Sequence, residues 1–160
     1  MVDELPHGKS TWVLSYKSHK NGQITKMKPR LVAKEFMQRE GLIYLRRSVP
    51  TPAAASVKSM MAVVKELQYK VYHLDVAQAL TKATLDYEVY VKLLGGCGDL
   101  SGKYVRLEKA LYRLKQSGLL WNDLLVVKLI TVHGMEQCKS DPCVFRLILE
   151  GKTVRILTYM

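Results

Sequence analysis

The sequence predicts an α+β fold built on an antiparallel sheet. Three observations carry that expectation: a hairpin signal at Asn21-Gly22, a second at Glu150-Gly151-Lys152, and helical stretches that do not alternate regularly with strands. The chain has 160 residues, which suits one domain with a real core. Its 48% hydrophobic and 24% charged content argues against wholesale disorder.

Taken in order, Thr11 to Tyr16 is apolar-rich and reads as a strand. After the Asn21-Gly22 turn, Ile24 to Phe36 reads as its partner, with Pro29 implying an edge or irregular position. Gly41 to Ala53 reads as a loop marked by Pro50 and Pro52. Ser56 reads as an N-cap, followed by Val57, Met60, Met61, Val64 and Leu67 at helical spacing. Val71 to Val76 reads as a short strand with Asp75 near its end, and Ala77 to Thr84 as helical or turn-like. Tyr87 to Leu93 alternates as a strand, Gly95 to Gly98 is a loop, and Tyr104 to Leu107 is another short strand. Leu119 to Val132 reads as a helix, apolar nearly all round and therefore buried. Cys143 to Leu149 and Thr153 to Tyr159 form the closing hairpin.

Composition narrows the function classes. No apolar run reaches the roughly 18 residues of a membrane span; Leu119 to Val132 is interrupted by Asn122, Asp123 and Lys128. Met1 to Ser10 carries Asp3, Glu4 and Pro6 without an apolar stretch, so no signal peptide is expected. Cys97, Cys138 and Cys143 suggest a reducing compartment and no disulfide framework, and the Cys138-x4-Cys143 spacing is not that of a zinc site. With 25 Lys+Arg against 14 Asp+Glu, the net charge is +11. Such an excess draws polyanions, of which nucleic acid is the commonest; a merely basic soluble protein is the other reading.

Three segments could carry chemistry. Asp75 ends an apolar run, where a carboxylate needs a cation, a donor or water; it is either a Mg²⁺ ligand or a cap for the helix expected near Ala77. In Lys28-Pro29-Arg30-Leu31-Val32-Ala33-Lys34 the cations alternate with apolar residues, placing Lys28, Arg30 and Lys34 on one strand face. That face would grip a triphosphate or a phosphate backbone, or stand solvated. Leu114-Lys115-Gln116-Ser117-Gly118 precedes a helix and is either an anion site or an ordinary capped start at Ser117.

The order of these segments resembles the reverse transcriptase of copia-type LTR retrotransposons. Trp12-Val13 with Lys17, Asn21-Gly22, then Lys28 through Lys34 with Gln38 and Gly41, is similar to the family's N-terminal fingers signature. Leu74-Asp75-Val76 with Ala79, then Glu88-Val89-Tyr90-Val91, is similar to its first catalytic stretch. Ala110-Leu111-Tyr112, Leu114-Lys115-Gln116 and Trp121 resemble its "A-L-Y-G-L-K-Q" segment, and Asp141-Pro142-Cys143-Val144-Phe145 its "D-P-C-L-F".

The resemblance implies the fingers–palm portion of a right-hand polymerase, about 8–70 fingers-like and about 71–160 palm-like and incomplete. It implies RNA-directed DNA polymerisation with Mg²⁺, an RNA template, a DNA primer and dNTP as partners, and an intracellular setting, cytoplasmic or in a virus-like particle. Asp75 would be the first metal-binding carboxylate and catalytic residue. Lys28 and Arg30 would hold the triphosphate, Gln116 would line the nucleotide or template pocket, and Leu80 stands where the family has an aromatic gate against the ribose 2′-OH. Arg113 replaces a family glycine, and Thr81-Lys82 replaces "L-N-G". Leu157-Thr158-Tyr159-Met160 covers only the start of the family's "Y-V-D-D". Two-metal catalysis needs carboxylates from both stretches, so this chain alone is expected to be a truncated, inactive copy, or else a non-catalytic nucleic-acid-binding remnant.

Overall fold

The Asn21-Gly22 pair closes a long hairpin in a computed structural model that describes residues 7–34 and 49–159. Strand β1 spans His7–Ser18 and β2 spans Ile24–Ala33, paired antiparallel. Asn21 Oδ1 accepts the Gln23 N–H at 3.2 Å, the His19 N–H donates to the Gln23 carbonyl at 2.8 Å, and Gly22 takes φ +83°. That left-handed backbone is open to glycine at no steric cost. β1 is longer than expected at both ends. β2 ends at Ala33, and Phe36 and most of the expected Gly41–Ala53 loop lie outside the described residues.

Strands β3 (Thr84–Lys92) and β4 (Tyr104–Lys109) complete a four-stranded sheet in the order β2-β1-β3-β4. β2 is therefore an edge strand, which is where Pro29, lacking an N–H, is tolerated. The expected antiparallel sheet is in fact mixed: β1 and β3 run parallel through His7↔Tyr90, Gly8↔Val91 and Lys9↔Lys92. Parallel neighbours require a long connection rather than a hairpin, and sequence patterning does not reveal which distant strands meet. Val89 and Val91 turn inward with Ala33 and Leu114, against Leu85, Leu107 and Leu111.

Arg113 lies in this unit with φ +65°. A side chain in the left-handed region costs roughly 1–2 kcal/mol, which is a physical reason for the family's glycine here. Arg113→Gly should raise the melting temperature by a few degrees, corresponding to about 1 kcal/mol. An unchanged or lower midpoint in thermal denaturation would refute this.

The described residues divide into two units, 7–34 with 78–121 and 49–77 with 122–159. In the second, helix α1 spans Ala54–Glu66. It begins two residues before the expected Ser56; Ala53 is the N-cap and offers no capping side chain. Val57, Met60 and Val64 are half-buried, while Met61 and Leu67 stay exposed. The helix ends in a Schellman turn. Tyr69 N–H donates to the Val64 carbonyl and Gln68 N–H to the Lys65 carbonyl, with Gln68 at φ +53° in the place glycine usually takes.

Val71 to Val76 does not form the short strand expected of it. A strand needs a neighbour for its N–H and C=O groups, and none pairs with this segment among the described residues. Its apolar side chains consequently stand in water, with Leu74 81% exposed. The following residues make a 3-10 turn at Ala79–Lys82.

Helix α2 spans Ser117–Thr131. It is less buried than its apolar content suggests: Leu119, Asn122 and Leu129 are buried, whereas Val127 and Ile130 are exposed. Strands β5 (Glu136–Gln137), β6 (Val144–Leu149) and β7 (Lys152–Thr158) form a three-stranded sheet in that order. Glu150 and Gly151, both at positive φ, make the β6–β7 turn. Phe145 is fully buried with Leu129 and Met135, against Leu125, Val126, Leu147, Leu157 and Tyr159.

Candidate functional site

Lys28 and Arg30 sit two residues apart on β2, so their side chains leave the same face. The register extends that face across the hairpin. Lys26 lies opposite Lys17, Lys28 opposite Ser15 and Arg30 opposite Val13. Arg30 donates from Nη1 to Ser15 Oγ at 3.1 Å, and Ser15 Oγ donates to the Lys28 carbonyl at 3.3 Å. Arg30 is exposed and Lys28 half-buried. The hairpin thus presents Lys17, Lys26, Lys28 and Arg30 to solvent as a cationic face able to meet phosphate oxygens.

The base of the hairpin is pinned to the glycine loop. Trp12 Nε1 donates to the Gly95 carbonyl at 3.0 Å, and a Cβ on Gly96 would come within 3.6 Å of the same nitrogen. Ser10, fully buried, donates to the Lys92 carbonyl at 2.9 Å and accepts the Leu94 N–H at 3.2 Å. The loop Gly95-Gly96-Cys97-Gly98 therefore serves as a dock for β1.

Leu80 lies half-buried in the Ala79–Lys82 turn. Gln116 is buried, 3% exposed, immediately before α2. Ser117 is also buried and donates from Oγ to the Leu111 carbonyl at 2.7 Å. Its hydroxyl is committed to the preceding turn, and this helix start does not offer the open anion cradle that its polar sequence allowed.

Asp75 belongs to the second unit and is exposed in the irregular 71–76 segment. The expected cap role is not seen, since the Ala79–Lys82 turn has Gln78 as its N-cap and no side-chain capping bond. Among the described residues no three His, Cys, Asp or Glu side chains converge on a point that could hold a metal. Two divalent ions roughly 3.5–4 Å apart need several shared oxygens. Asp75 by itself does not fit such a pair.

Sequence reasoning missed a buried polar cluster in the second unit. Asp141, 3% exposed, accepts the Ala53 N–H on Oδ2 and the Cys143 N–H on Oδ1, each at 2.9 Å. It caps α1 from a distant loop. Hydrogen bonds from Ser56, Cys143 and Ala53 hold its carboxyl below the ordinary value, against the opposing effect of burial. Beside it, Tyr159 donates to Asn122 Oδ1 at 2.5 Å, with its ring 6.1 Å from that of Phe145. Burial, followed by the neighbouring Cys143, pushes the Tyr159 phenol up to about 12, so it remains a neutral donor. Burial likewise pushes the Cys143 thiol up, with the Asp141 charge adding to it. The "D-P-C" motif was visible, but nothing local to it signals that its carboxylate caps a helix 88 residues earlier.

Comparison with known proteins gives one consistent picture. The family described as reverse transcriptase (RNA-dependent DNA polymerase) matches residues 3–157. The retrovirus-related Pol polyprotein from transposon RE2 of Arabidopsis thaliana is 33% identical over 151 residues, covering 93% of this chain and 10% of that protein. Its counterpart from transposon RE1 is 32% identical over the same share of both. The Pol polyprotein from transposon TNT 1-94 of Nicotiana tabacum is 28% identical, covering 98% of this chain and 12% of its own length. The chain thus spans about a tenth of these relatives. No solved structure matches it.

Proposed function

The chain belongs to the reverse transcriptase (RNA-dependent DNA polymerase) family, in the company of copia-type Pol polyproteins, and from that membership we propose that it is the fingers–palm portion of such a polymerase. In this reading residues of about 8–70 serve as fingers and those of about 71–160 as an incomplete palm. The family acts on a nucleic-acid template and primer with dNTP and uses divalent metal. Lys28 and Arg30 hold the triphosphate, Leu80 stands at the ribose gate, and Gln116 lines the nucleotide or template pocket. Asp75 contributes one metal-binding carboxylate. The observation that supports this most directly is the solvent-facing pairing of Lys28 and Arg30 on one face of the hairpin.

As a 160-residue polypeptide the chain binds nucleic acid but does not join nucleotides. Among the described residues Asp75 stands without the partner carboxylates that two metals demand. Primer extension on an RNA template with Mg²⁺ should give no product. Robust extension lost on Asp75→Ala would overturn that expectation. Filter binding of RNA at two salt concentrations should show retention falling steeply with salt, because binding releases counterions from each phosphate contacted. The second reading, a non-catalytic binding remnant, shares this binding result and draws on the net charge of +11. It parts from the first if an extended polypeptide carrying the downstream carboxylates still fails to extend a primer.

A further inference from the structure

Three lysines stand in one row across the four-stranded sheet. Lys9 pairs with Lys92 in the parallel β1–β3 ladder. On its other side, Ser10 pairs with Ala33, and the Lys34 N–H donates to the Lys9 carbonyl at 2.8 Å, which carries the register one residue further and sets Lys34 beside Lys9. Lys92 in turn lies opposite Tyr104 on β4, with its ammonium 5.5 Å from the centre of that ring. The pairing register puts the three side chains on one face of the sheet, where Lys9 and Lys92 are exposed and Lys34, next to the buried Val32, is half-buried.

Directly opposed residues on neighbouring strands have Cβ atoms about 4.5–5.5 Å apart, and like charges so placed repel. The row contains two such juxtapositions in succession. Neither the Arg106–Glu88 nor the Arg146–Glu136 ion pair involves these lysines. The Tyr104 ring offers Lys92 only a modest compensation. Strands about 4.8 Å apart place the first and third lysines roughly 10 Å from each other, so the row spans more than one phosphate of a strand laid across it. Beside the row lies a depression of about 230 Å³ lined by the lysine stems with Leu93, Leu94 and Gly102. An apolar hollow next to three cations offers aliphatic contact to a base or sugar attached to the phosphates the cations hold.

We propose that Lys34, Lys9 and Lys92 form a phosphate-gripping row, separate from the Lys28–Arg30 pair, that holds consecutive phosphates of a single-stranded nucleic acid. The proposal rests on the nucleic-acid reading given above. It assigns ligand contact to the base of the hairpin and to β3.

The test measures binding of a labelled oligouridylate to the full 160-residue chain by fluorescence anisotropy across a salt series. Each phosphate contact to a single strand contributes about 0.7 to the slope of log affinity against log salt. The triple variant Lys9→Gln, Lys34→Gln, Lys92→Gln should therefore lower the slope by about 2 and the low-salt affinity by about tenfold. Its melting temperature should equal or exceed the parent's, since repulsion between neighbours is relieved. The matching Lys→Arg triple should keep the parent slope. A parallel Lys28→Gln, Arg30→Gln variant separates the two readings. If it lowers the slope while the row variant does not, the row is refuted and the functional reading stands. If the row variant alone lowers the slope, the row stands, and the triphosphate role of Lys28 and Arg30 is read from tripolyphosphate binding in the pair variant, whose retention there would make that role fall. Silence of both variants toward the strand overturns the row. Loss of tripolyphosphate binding in the row variant with oligouridylate binding intact would refute a strand as the occupant. Displacement by polyglutamate as readily as by unlabelled oligouridylate would point instead to an acidic protein and also overturn the proposal.

Discussion

Phe145→Ala should abolish stable folding of the unit formed by 49–77 and 122–159. Phe145 is fully buried in the middle of the three-stranded sheet, paired with Gln137 on one side and Leu157 on the other. Its ring fills the space between α2 and the sheet, touching residues from both, and stands beside the Tyr159 ring. Removing a buried phenylalanine costs roughly 3–5 kcal/mol, the lost transfer energy plus the cavity left behind. Whole domains are stable by only about 5–15 kcal/mol, and the neighbouring Tyr159 ring is tethered by its hydrogen bond to Asn122. Urea denaturation followed by near-ultraviolet circular dichroism should show the Tyr159 environment lost at much lower denaturant, with the Ala33–Val89–Val91–Leu114 core of the other unit surviving. A midpoint close to the parent's would mean that the site collapses around the truncation, or that the ring is not where the core is held together.

Asp141→Ala is expected to have the second-largest effect, and it should depend on pH. The carboxylate satisfies the Ala53 N–H at the start of α1, turns the Cys143 N–H in its own loop, and is bonded to Ser56. Alanine leaves those donors without a partner inside the protein, and the melting temperature should fall on the order of 5 °C at neutral pH. The folded-state carboxyl titrates below its ordinary value of 3.8. Its contribution is therefore complete above about pH 4 and is lost as pH falls through the lowered folded-state value. Asp141→Asn keeps the shape and one acceptor but does not titrate in this range. Thermal melts between neutral pH and strong acid should show the gap between parent and Asn variant narrowing below about pH 4. A gap that stays constant into strong acid would refute the ionised cap.

These residues also show where sequence reading reaches and where it stops. The Asn21-Gly22 hairpin was legible because its cause lies in the dipeptide itself: an Asx acceptor and a residue free to take φ +83°. β3 was legible from alternation, with Val89 and Val91 inward and Lys92 outward. The end of α1 was legible to within a residue, since the apolar spacing stops at Leu67, its C-cap, although Gln68 and not glycine takes the left-handed position. Its start was misplaced because the capping carboxylate comes from a loop 88 residues away. Val71 to Val76 has the composition of a strand, but a pattern cannot supply the neighbour on which a strand depends. At the candidate site, the shared face of Lys28 and Arg30 followed from their spacing. The juxtaposition of Lys9 with Lys92 could not, since it arises from parallel pairing across 83 residues.

The sealed position of Cys143 leaves a useful asymmetry among the three thiols. Cys97 and Cys138 are half-exposed, one in each unit, while Cys143 is shut away with a thiol reluctant to ionise. Maleimide chemistry at neutral pH would modify the outer two and spare the inner one. The native chain thus carries a ready pair of attachment points for spectroscopic labels, one in each unit.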